Sequence, residues 1–182
     1  MNGNIIYRRY LSGDDEAFVE IIKEYKDGLI LYLNNFINDI YIAEELAEDT
    51  FVKLGIKKPK NTEKASFKTW LYIIGRNIAI DYLRKKAKLK EVSINNNMKL
   101  EKETLEQIYI KKENKLIIHK AMERLKLEYK QVLWLSYFED FTNKEIARIM
   151  KKNVHNIETL LYRAKLSLKS ELEKEGFSYE EL

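Results

Sequence analysis

Apolar residues recur at intervals of three and four along most of this chain, and helix breakers are almost absent from it. The 182 residues include one proline and six glycines. A spacing of three and four places apolar side chains on one face of an α-helix, and scarce breakers allow long helices. A hydrophobic content of 45% is enough to cover several such faces in a core. The sequence therefore predicts an all-α protein.

The periodic stretches fall into two groups. The predicted helices of the first group run from Asp14 to about Phe36, from about Ile42 to Leu54, and from Phe67 to about Lys86. From residue 115 the periodicity resumes and predicts a compact bundle of about four helices. Residues 87–114 interrupt it with an Asn run and mixed charge. We therefore expect two small helical domains, 1–88 and 115–175, joined by a flexible linker, 89–114, and followed by an acidic tail, 176–182.

Residues 144–165 predict a helix-turn-helix. The polar turn Lys151-Lys152-Asn153 separates two apolar stripes, and Asn153 suits the N-cap of the second helix. When that helix buries its stripe, it directs outward Asn156, Glu158, Thr159, Tyr162, Arg163 and Lys165. Such side chains can contact base edges and phosphates, although helix pairs without a DNA-binding role are common.

Charge is distributed unevenly along the chain. Residues 1–56 have a net charge of −6, residues 57–90 of +9 and residues 115–170 of +6. Two basic blocks favour two contacts with a polyanion, and the acidic block favours a different partner. A linker of about 25 residues extends up to about 80 Å, so both basic blocks could touch one DNA.

The third predicted helix combines cations with aromatic rings. We expect on or near its open side Lys68, Tyr72, Arg76, Asn77, Ile80, Arg84 and Lys85, beside a basic loop with Lys57, Lys58, Lys60 and Lys64. Cations attract phosphates and rings stack on exposed bases, which suits a strand whose bases have left the duplex. Phe67 and Leu71 are interpreted as core, and the alternative for the lysines is a solvated face.

The second predicted helix carries carboxylates at helical spacing. Glu44 precedes Glu48, and Glu45 precedes Asp49, by four residues. Like charges so spaced destabilise a helix by about 0.2–0.5 kcal/mol. A basic partner protein would explain them, and a solvated face remains the alternative. A hydrolytic carboxylate pair is a third interpretation, but no histidine or metal ligand accompanies it.

Composition excludes several kinds of chemistry. The chain has no cysteine and two histidines, His119 and His155, which excludes disulfides, thiol catalysis and a His/Cys metal cage. We expect no metal and no cofactor. The N-terminus becomes polar too soon for a signal peptide, and no apolar run reaches the length of about 18 residues that spans a bilayer. We expect a cytoplasmic protein without membrane insertion.

Four stretches in order resemble the extracytoplasmic-function sigma factors of bacterial RNA polymerase. They are DDEAF at 14–18, AEELAEDTF at 43–51, FKTWLYIIGRNIAIDYLRKK at 67–86, and residues 121–165. The resemblance implies a non-catalytic subunit that binds core RNA polymerase and promoter DNA. Residues 1–88 would form a region 2-like domain for core binding and promoter melting, and residues 115–175 a region 4-like domain. An anti-sigma factor is a further candidate partner, since the family commonly has one.

Taken with the patterns above, the resemblance gives three candidate sites. The core polymerase would contact Glu45, Leu46, Glu48 and Asp49. The downstream promoter element and its melting would involve Lys68, Trp70, Arg76, Asn77, Asp81, Arg84 and Lys85, with the loop at 57–65 holding a flipped base. The upstream element would contact Asn156, Glu158, Thr159, Tyr162 and Arg163.

The chain departs from the family pattern at several positions. Lys126 stands where a proline is usual. Lys151 replaces the turn glycine, and Lys152 replaces the apolar residue that follows it. Glu158 and Leu160 occupy positions where basic residues are common, and Glu48 replaces a glutamine. Two other functions stay open: a stand-alone helix-turn-helix regulator, and a helical adaptor that binds acidic proteins. The second predicted helix, with its carboxylates, and the third, with Trp70, argue against the stand-alone regulator. DNA affinity that falls steeply with salt would argue against the adaptor.

Overall fold

The computed structural model describes residues 3–58, 65–92, 118 and 120–174, and every regular element within them is an α-helix, as predicted. The helices are α1 (Gly3–Leu11), α2 (Asp15–Ile37), α3 (Ile40–Lys57), α4 (Phe67–Val92), α5 (Leu127–Tyr137), α6 (Asn143–Met150) and α7 (Val154–Lys174). We call α1–α4 the N-terminal bundle and residues 120–174 the C-terminal bundle. No described helix is long and apolar enough to cross a bilayer.

The three helices predicted in the first half of the chain are confirmed as α2, α3 and α4. α3 is longer than predicted at both ends. α4 begins at the predicted Phe67 and continues to Val92, into the segment expected to be linker. The periodicity did not predict α1. The loop residues 59–64, the linker residues 93–117 and the tail from 175 onward lie outside the described residues.

Side-chain caps fix the first helices. The Asp14 carboxylate accepts a hydrogen bond from the Ala17 N–H at 3.2 Å, which satisfies one free donor at the start of α2. At its other end, Asn38 takes a left-handed conformation (φ 54°) and stops the helix. Asp39 then caps α3 through the Ile42 N–H. The connection is so short that α3 folds back along α2 with its acidic side outward.

Aromatic packing positions α4. Tyr7 of α1 stacks on Phe67 with ring centroids 4.8 Å apart, and both rings are buried. The Phe67 N–H donates to Asn4 Oδ1 at 2.7 Å, and the Thr69 N–H donates to the Ser66 hydroxyl at 3.2 Å. The start of α4 is therefore held by α1 as well as by its own cap.

The two bundles pack directly against each other. α2 contacts α5 and α4 contacts α6, and one apolar core continues through both bundles. Tyr72, expected on the open side of α4, is 1% exposed because Phe141 packs edge-on against its ring at 5.1 Å. That expectation was wrong because periodicity along one helix does not reveal a second face covered by a distant segment. The described residues therefore form two helical bundles that are in close contact.

The C-terminal bundle contains the predicted helix-turn-helix, formed by α6 and α7. Thr142 and Glu145 form a reciprocal capping box at the start of α6. The predicted cap of α7 is confirmed, since Asn153 Oδ1 accepts from the Asn156 N–H at 2.7 Å. Lys151 adopts a left-handed conformation (φ 55°) at the end of α6, where its N–H bonds to the Ala147 carbonyl. The turn therefore forms without the family's glycine.

Replacing Lys151 with glycine is expected to stabilise the protein by about 1 kcal/mol, because glycine reaches the left-handed region without the Cβ clash that lysine suffers there. In a chain of this size the melting temperature should rise by about 2–4 °C. The control is Arg148→Gly, in an ordinary helical conformation of α6, which should lower it by a similar amount. Thermal unfolding followed by circular dichroism measures both, and destabilisation by Lys151→Gly would contradict the stated role of the turn.

Candidate polymerase and nucleic-acid interfaces

The outer face of α3 presents the predicted acidic residues. Glu45, Glu48 and Asp49 are exposed, whereas Leu46 is buried in the core. The structure therefore separates Leu46, which fixes the helix in place, from the three carboxylates that a partner can reach. Lys26 of α2 lies 3.2 Å from Glu44 and 3.7 Å from Glu48, which reduces the repulsion within the acidic stretch.

Exposed apolar side chains flank these carboxylates. Tyr41 is 68% exposed, Val52 56% and Ile56 78%. With Glu45 and Glu48 they follow one line along α3, because the five positions are separated by three or four residues. Sequence reasoning noticed the acidic residues and missed their apolar neighbours, although the same spacing would have revealed them. A mixed acidic and apolar face suits a protein partner better than a solvated surface does.

The predicted promoter-melting residues lie on two opposite faces of α4. One face carries Lys68, Tyr72 and Arg76, and it is turned toward the C-terminal bundle. The other carries Asn77, Asp81, Arg84 and Lys85, of which the last three are exposed and Asn77 is half-buried. The sequence pattern predicted one open side for Lys68, Tyr72, Arg76, Asn77, Arg84 and Lys85, but the structure divides these residues between the two faces.

Trp70 belongs to the aromatic cluster that holds α4. Its ring centroid lies 5.5 Å from that of Tyr7 and 6.1 Å from that of Phe67. The side chain is only half-buried, so one part of the indole stays accessible beside the start of α4. The residue can therefore support the fold and still offer a surface for stacking.

The exposed cations of α4 extend to its second half. Arg84 lies 3.4 Å from Asp81 in an exposed ion pair, which leaves most of its guanidinium at the solvent. Lys85, Lys86 and Lys88 are also exposed. This open face of α4, defined by Asn77, Asp81, Arg84 and Lys85, is a basic surface of the kind that attracts a phosphate backbone.

The residues predicted from the sequence to point outward from α7 lie on the side opposite its buried stripe. Ile157, Leu161 and Ala164 are buried. The exposed residues are Asn156, Glu158, Tyr162, Arg163 and Lys165, and Thr159 is half-buried. Tyr162 is 65% exposed although its ring is large, and Arg163, the next residue, is exposed as well. These side chains can reach the groove of a duplex because nothing in the described part of the chain covers them.

A cleft of about 530 Å³ lies between the start of α5 and the first turns of α7. It is lined by Lys126, Leu127, Glu128, Tyr129, Lys152, Asn156, Thr159, Leu160 and Arg163. Lys126 precedes α5 and makes no side-chain cap, and Lys152 lies 3.1 Å from Glu128. Helix N-termini and lysines both attract phosphate. The cleft therefore adds Lys126 and Lys152 to the predicted upstream residues.

Glu145 joins the two bundles near the covered face of α4. One of its carboxylate oxygens accepts from Thr142, and the other accepts from Thr69 at 2.9 Å and Ser66 at 3.2 Å. Burial alone would raise the pKa of Glu145, but these hydrogen bonds outweigh it and hold the pKa below its usual value. The group therefore stays ionised at neutral pH. Among the described residues no cluster of His, Asp or Glu could hold a metal ion.

Two sigma-70 families match this chain. Sigma-70 region 2 matches residues 21–89, and Sigma-70, region 4 matches residues 115–168. The first range includes the acidic face of α3 and nearly all of α4. The second includes the helix-turn-helix and the cleft. The matched ranges thus contain each of the surfaces described above.

Curated relatives match over nearly their whole length. The RNA polymerase sigma factor YlaC of Bacillus subtilis is 28% identical over 162 residues, which cover 87% of this chain and 94% of that protein. The ECF RNA polymerase sigma factor SigM of the same bacterium is 29% identical over 153 residues, covering 83% and 92%. Among solved structures, the sigma factor RpoE of Bartonella quintana, in complex with the anti-sigma factor NepR, has a TM-score of 0.72 at 19% identity, covering 86% of this chain and 96% of that chain. The last match shows a shared fold.

Proposed function

This chain is an extracytoplasmic-function sigma factor of bacterial RNA polymerase, and from that premise we propose how its surfaces divide the work of transcription initiation. Core polymerase and promoter DNA are its partners. The observation that carries the proposal is the capped helix-turn-helix, whose second helix presents polar and cationic side chains beside a basic cleft. In this proposal the outward side of α7 contacts the upstream promoter element in the major groove.

The outer face of α3 is the proposed docking site for core polymerase. Its carboxylates and its flanking apolar side chains are both exposed, and Leu46 keeps the helix seated on the N-terminal bundle. Complementary charge would set the register of docking, and apolar contact would add affinity. The pairing of Lys26 with Glu44 and Glu48 leaves Glu45 and Asp49 as the carboxylates for which we expect the largest contribution.

The open face of α4 is the proposed contact for the downstream element. Arg84 and Lys85 are exposed cations, and the half-buried Asn77 and Trp70 provide a polar and an aromatic surface nearby. Cations hold the backbone and rings stack on bases that have left the duplex. Strand separation would then be driven by binding energy, without covalent chemistry by this chain.

We also propose a cytoplasmic location and control by an anti-sigma factor. Both follow from the family, whose members act as regulatory subunits of RNA polymerase. RpoE of Bartonella quintana, which shares the fold, was solved with its anti-sigma factor bound. Co-purification of this chain from its own cells would identify such a partner, and recovery only with core polymerase would speak against one.

The test is transcription of fragmented genomic DNA by core polymerase, with and without this chain. We expect a limited set of new start sites that share two sequence elements at a fixed spacing. The variant Lys126→Ala/Lys152→Ala should weaken use of all these sites alike, because phosphate contacts position the protein and carry no sequence information. In binding assays with upstream duplex it should also reduce the salt dependence of log affinity by about two units of slope.

The matched control is Lys169→Ala/Lys174→Ala, which removes two exposed lysines from the far end of α7. It should leave the start sites and the salt slope nearly unchanged. A set of start sites without a common upstream element would contradict the role proposed for α7. Equal effects of both double variants would show that general charge, not the cleft, determines binding.

A further inference from the structure

Glu158 places a negative charge on the side of α7 that is proposed to contact DNA. It lies four residues after Val154, where the helix begins, and its side chain is 56% exposed. The cations Arg163 and Lys165 are exposed further along the same helix. In a helix-turn-helix, the first turns of the second helix are the part that reaches base edges. Glu158 therefore stands where side chains meet bases, with a charge that the surrounding phosphates repel.

In the described part of the chain, no lysine or arginine neutralises Glu158. Its one ion-pair contact there is with His155, whose Nδ1 lies 4.0 Å away and carries a charge only when the ring is protonated. Four other carboxylates of the C-terminal bundle do have a cationic partner: Glu128 with Lys152, Glu139 with Lys68, Glu171 with Lys174, and Glu173 with Lys169. Both oxygens of Glu158 are thus available to a donor from outside the chain.

The polar side chains next to Glu158 have tasks within the helix. The Thr159 hydroxyl donates to the His155 carbonyl at 3.1 Å, so its proton is used inside α7. Asn153 Oδ1 accepts from the Asn156 N–H at 2.7 Å and caps the helix. These bonds fix the first turns of α7, and they leave Glu158 as an exposed acceptor without such a task.

The chemistry of a carboxylate restricts which base it can face. A carboxylate accepts hydrogen bonds and donates none. In the major groove the donors are the N4 amino group of cytosine and the N6 amino group of adenine, whereas guanine and thymine present acceptors. The adenine amino group lies beside the N7 acceptor, which repels a second carboxylate oxygen, and cytosine presents no acceptor beside its N4. Cytosine is therefore the base that matches Glu158 best.

We propose that Glu158 determines part of the promoter specificity by accepting a hydrogen bond from the N4 amino group of one cytosine in the upstream element. This inference rests on the function proposed for α7 and adds the identity of a base to it. On any other sequence the carboxylate meets phosphates and acceptor edges without compensation, which lowers the affinity for wrong sites. The cations of α7 supply attraction that is the same for all sequences.

The test uses core polymerase loaded with the full-length chain and a promoter mapped with the wild type. Each base pair of the upstream element is replaced in turn by the other three, and the dissociation constant is measured by fluorescence anisotropy. For the wild type, replacing one cytosine should weaken binding by about tenfold or more. For Glu158→Ala the same replacement should cost less than about twofold, because the hydrogen bond is already missing. At every other base pair the two proteins should show the same preferences.

Two further measurements identify the hydrogen bond itself. Replacing the sensitive cytosine with N4-methylcytosine keeps its pairing with guanine and puts a methyl group in place of the free N4 hydrogen. This base should weaken binding of the wild type as much as a changed base does, and it should not affect Glu158→Ala. Glu158→Lys should lose the preference for cytosine and prefer guanine on the same strand, because a lysine donates to the O6 and N7 acceptors.

The matched control is Glu173→Ala, which removes an exposed carboxylate from the far end of α7. It should keep every base preference of the wild type. The folded state should tolerate each of these variants, because the positions are exposed and alanine and lysine both favour a helix.

The outcomes separate this inference from the function on which it rests. Equal penalties for the wild type and Glu158→Ala at every base pair would overturn the inference, and so would a sensitive position without cytosine. Tolerance of N4-methylcytosine by the wild type would overturn it as well. In each of these cases a shared upstream element would still support the function proposed for α7. Start sites that share no upstream element would instead refute that function, and the role of Glu158 with it.

Discussion

Reversing Glu45 and Asp49 to lysine is expected to abolish co-elution of this chain with core RNA polymerase on a sizing column. Both carboxylates are exposed on the outer face of α3. Placing like charges against a basic partner costs several kcal/mol, so we expect the affinity to fall by about 100-fold or more. The fold should survive, because the two residues are four apart and the repulsion between them is the same for two lysines as for two carboxylates.

The design leaves the neighbouring ion pairs intact. Lys26 keeps its contacts with Glu44 and Glu48, so the change is confined to the two free carboxylates. The control Glu24→Lys/Glu173→Lys makes the same change in net charge at exposed positions elsewhere. It should still co-elute. Retained association of the α3 variant would move the docking site away from this helix, and loss in both variants would indicate a non-specific effect of charge.

Replacing Arg84 and Lys85 with glutamate is expected to lower promoter melting by about tenfold to 100-fold while core binding is retained. These two cations stand on the open face of α4, and each lost phosphate contact weakens the hold on the separated strand. Permanganate footprinting of a mapped promoter measures melting, and co-elution measures core binding. Upstream duplex binding should also be retained, because α7 is unchanged.

The control for melting reverses two other exposed lysines of the N-terminal bundle, as Lys23→Glu/Lys53→Glu. We expect promoter melting within about threefold of the wild type for this variant, since dissolved salt screens charges that lie far from the DNA strand. If both variants melt the promoter equally well, the open face of α4 does not contact the strand. If the α4 variant also loses core binding, the two functions are not divided between α3 and α4 as proposed.

Local features of the fold were predictable, because their causes lie within a few residues. The start and end of α2 follow from Asp14 and from the residues near Phe36, and the Asn153 cap of α7 follows from one side chain at the right place. Sequence reasoning also identified the stripe of Ile157, Leu161 and Ala164 that the structure buries. In each case hydrophobic spacing or a cap acts on the helix that contains it.

Contacts between distant segments could not be predicted in this way. The hydrogen bond from Asn35 to Lys130 joins residues 95 positions apart, and the contact of Lys68 with Glu139 joins residues 71 apart. No local pattern marks Tyr72 as buried, because its position on α4 looks open until α6 and the residues before it are in place. The sequence identified the candidate residues, and only the fold divides them into the covered and the open face of α4.

The shared core has a consequence for synthesis of the chain. Residues 93–174 leave the ribosome after the N-terminal bundle is complete, and at about 5–20 residues per second this takes roughly 4–16 s. During that time the ring of Tyr72 lacks its contact with Phe141, and α2 lacks its contact with α5. The nascent chain therefore carries a temporary apolar surface beside the cations of α4. A ribosome that pauses in this interval would prolong that exposure, and the abundance of the protein in the cell would depend on translation speed as well as on stability.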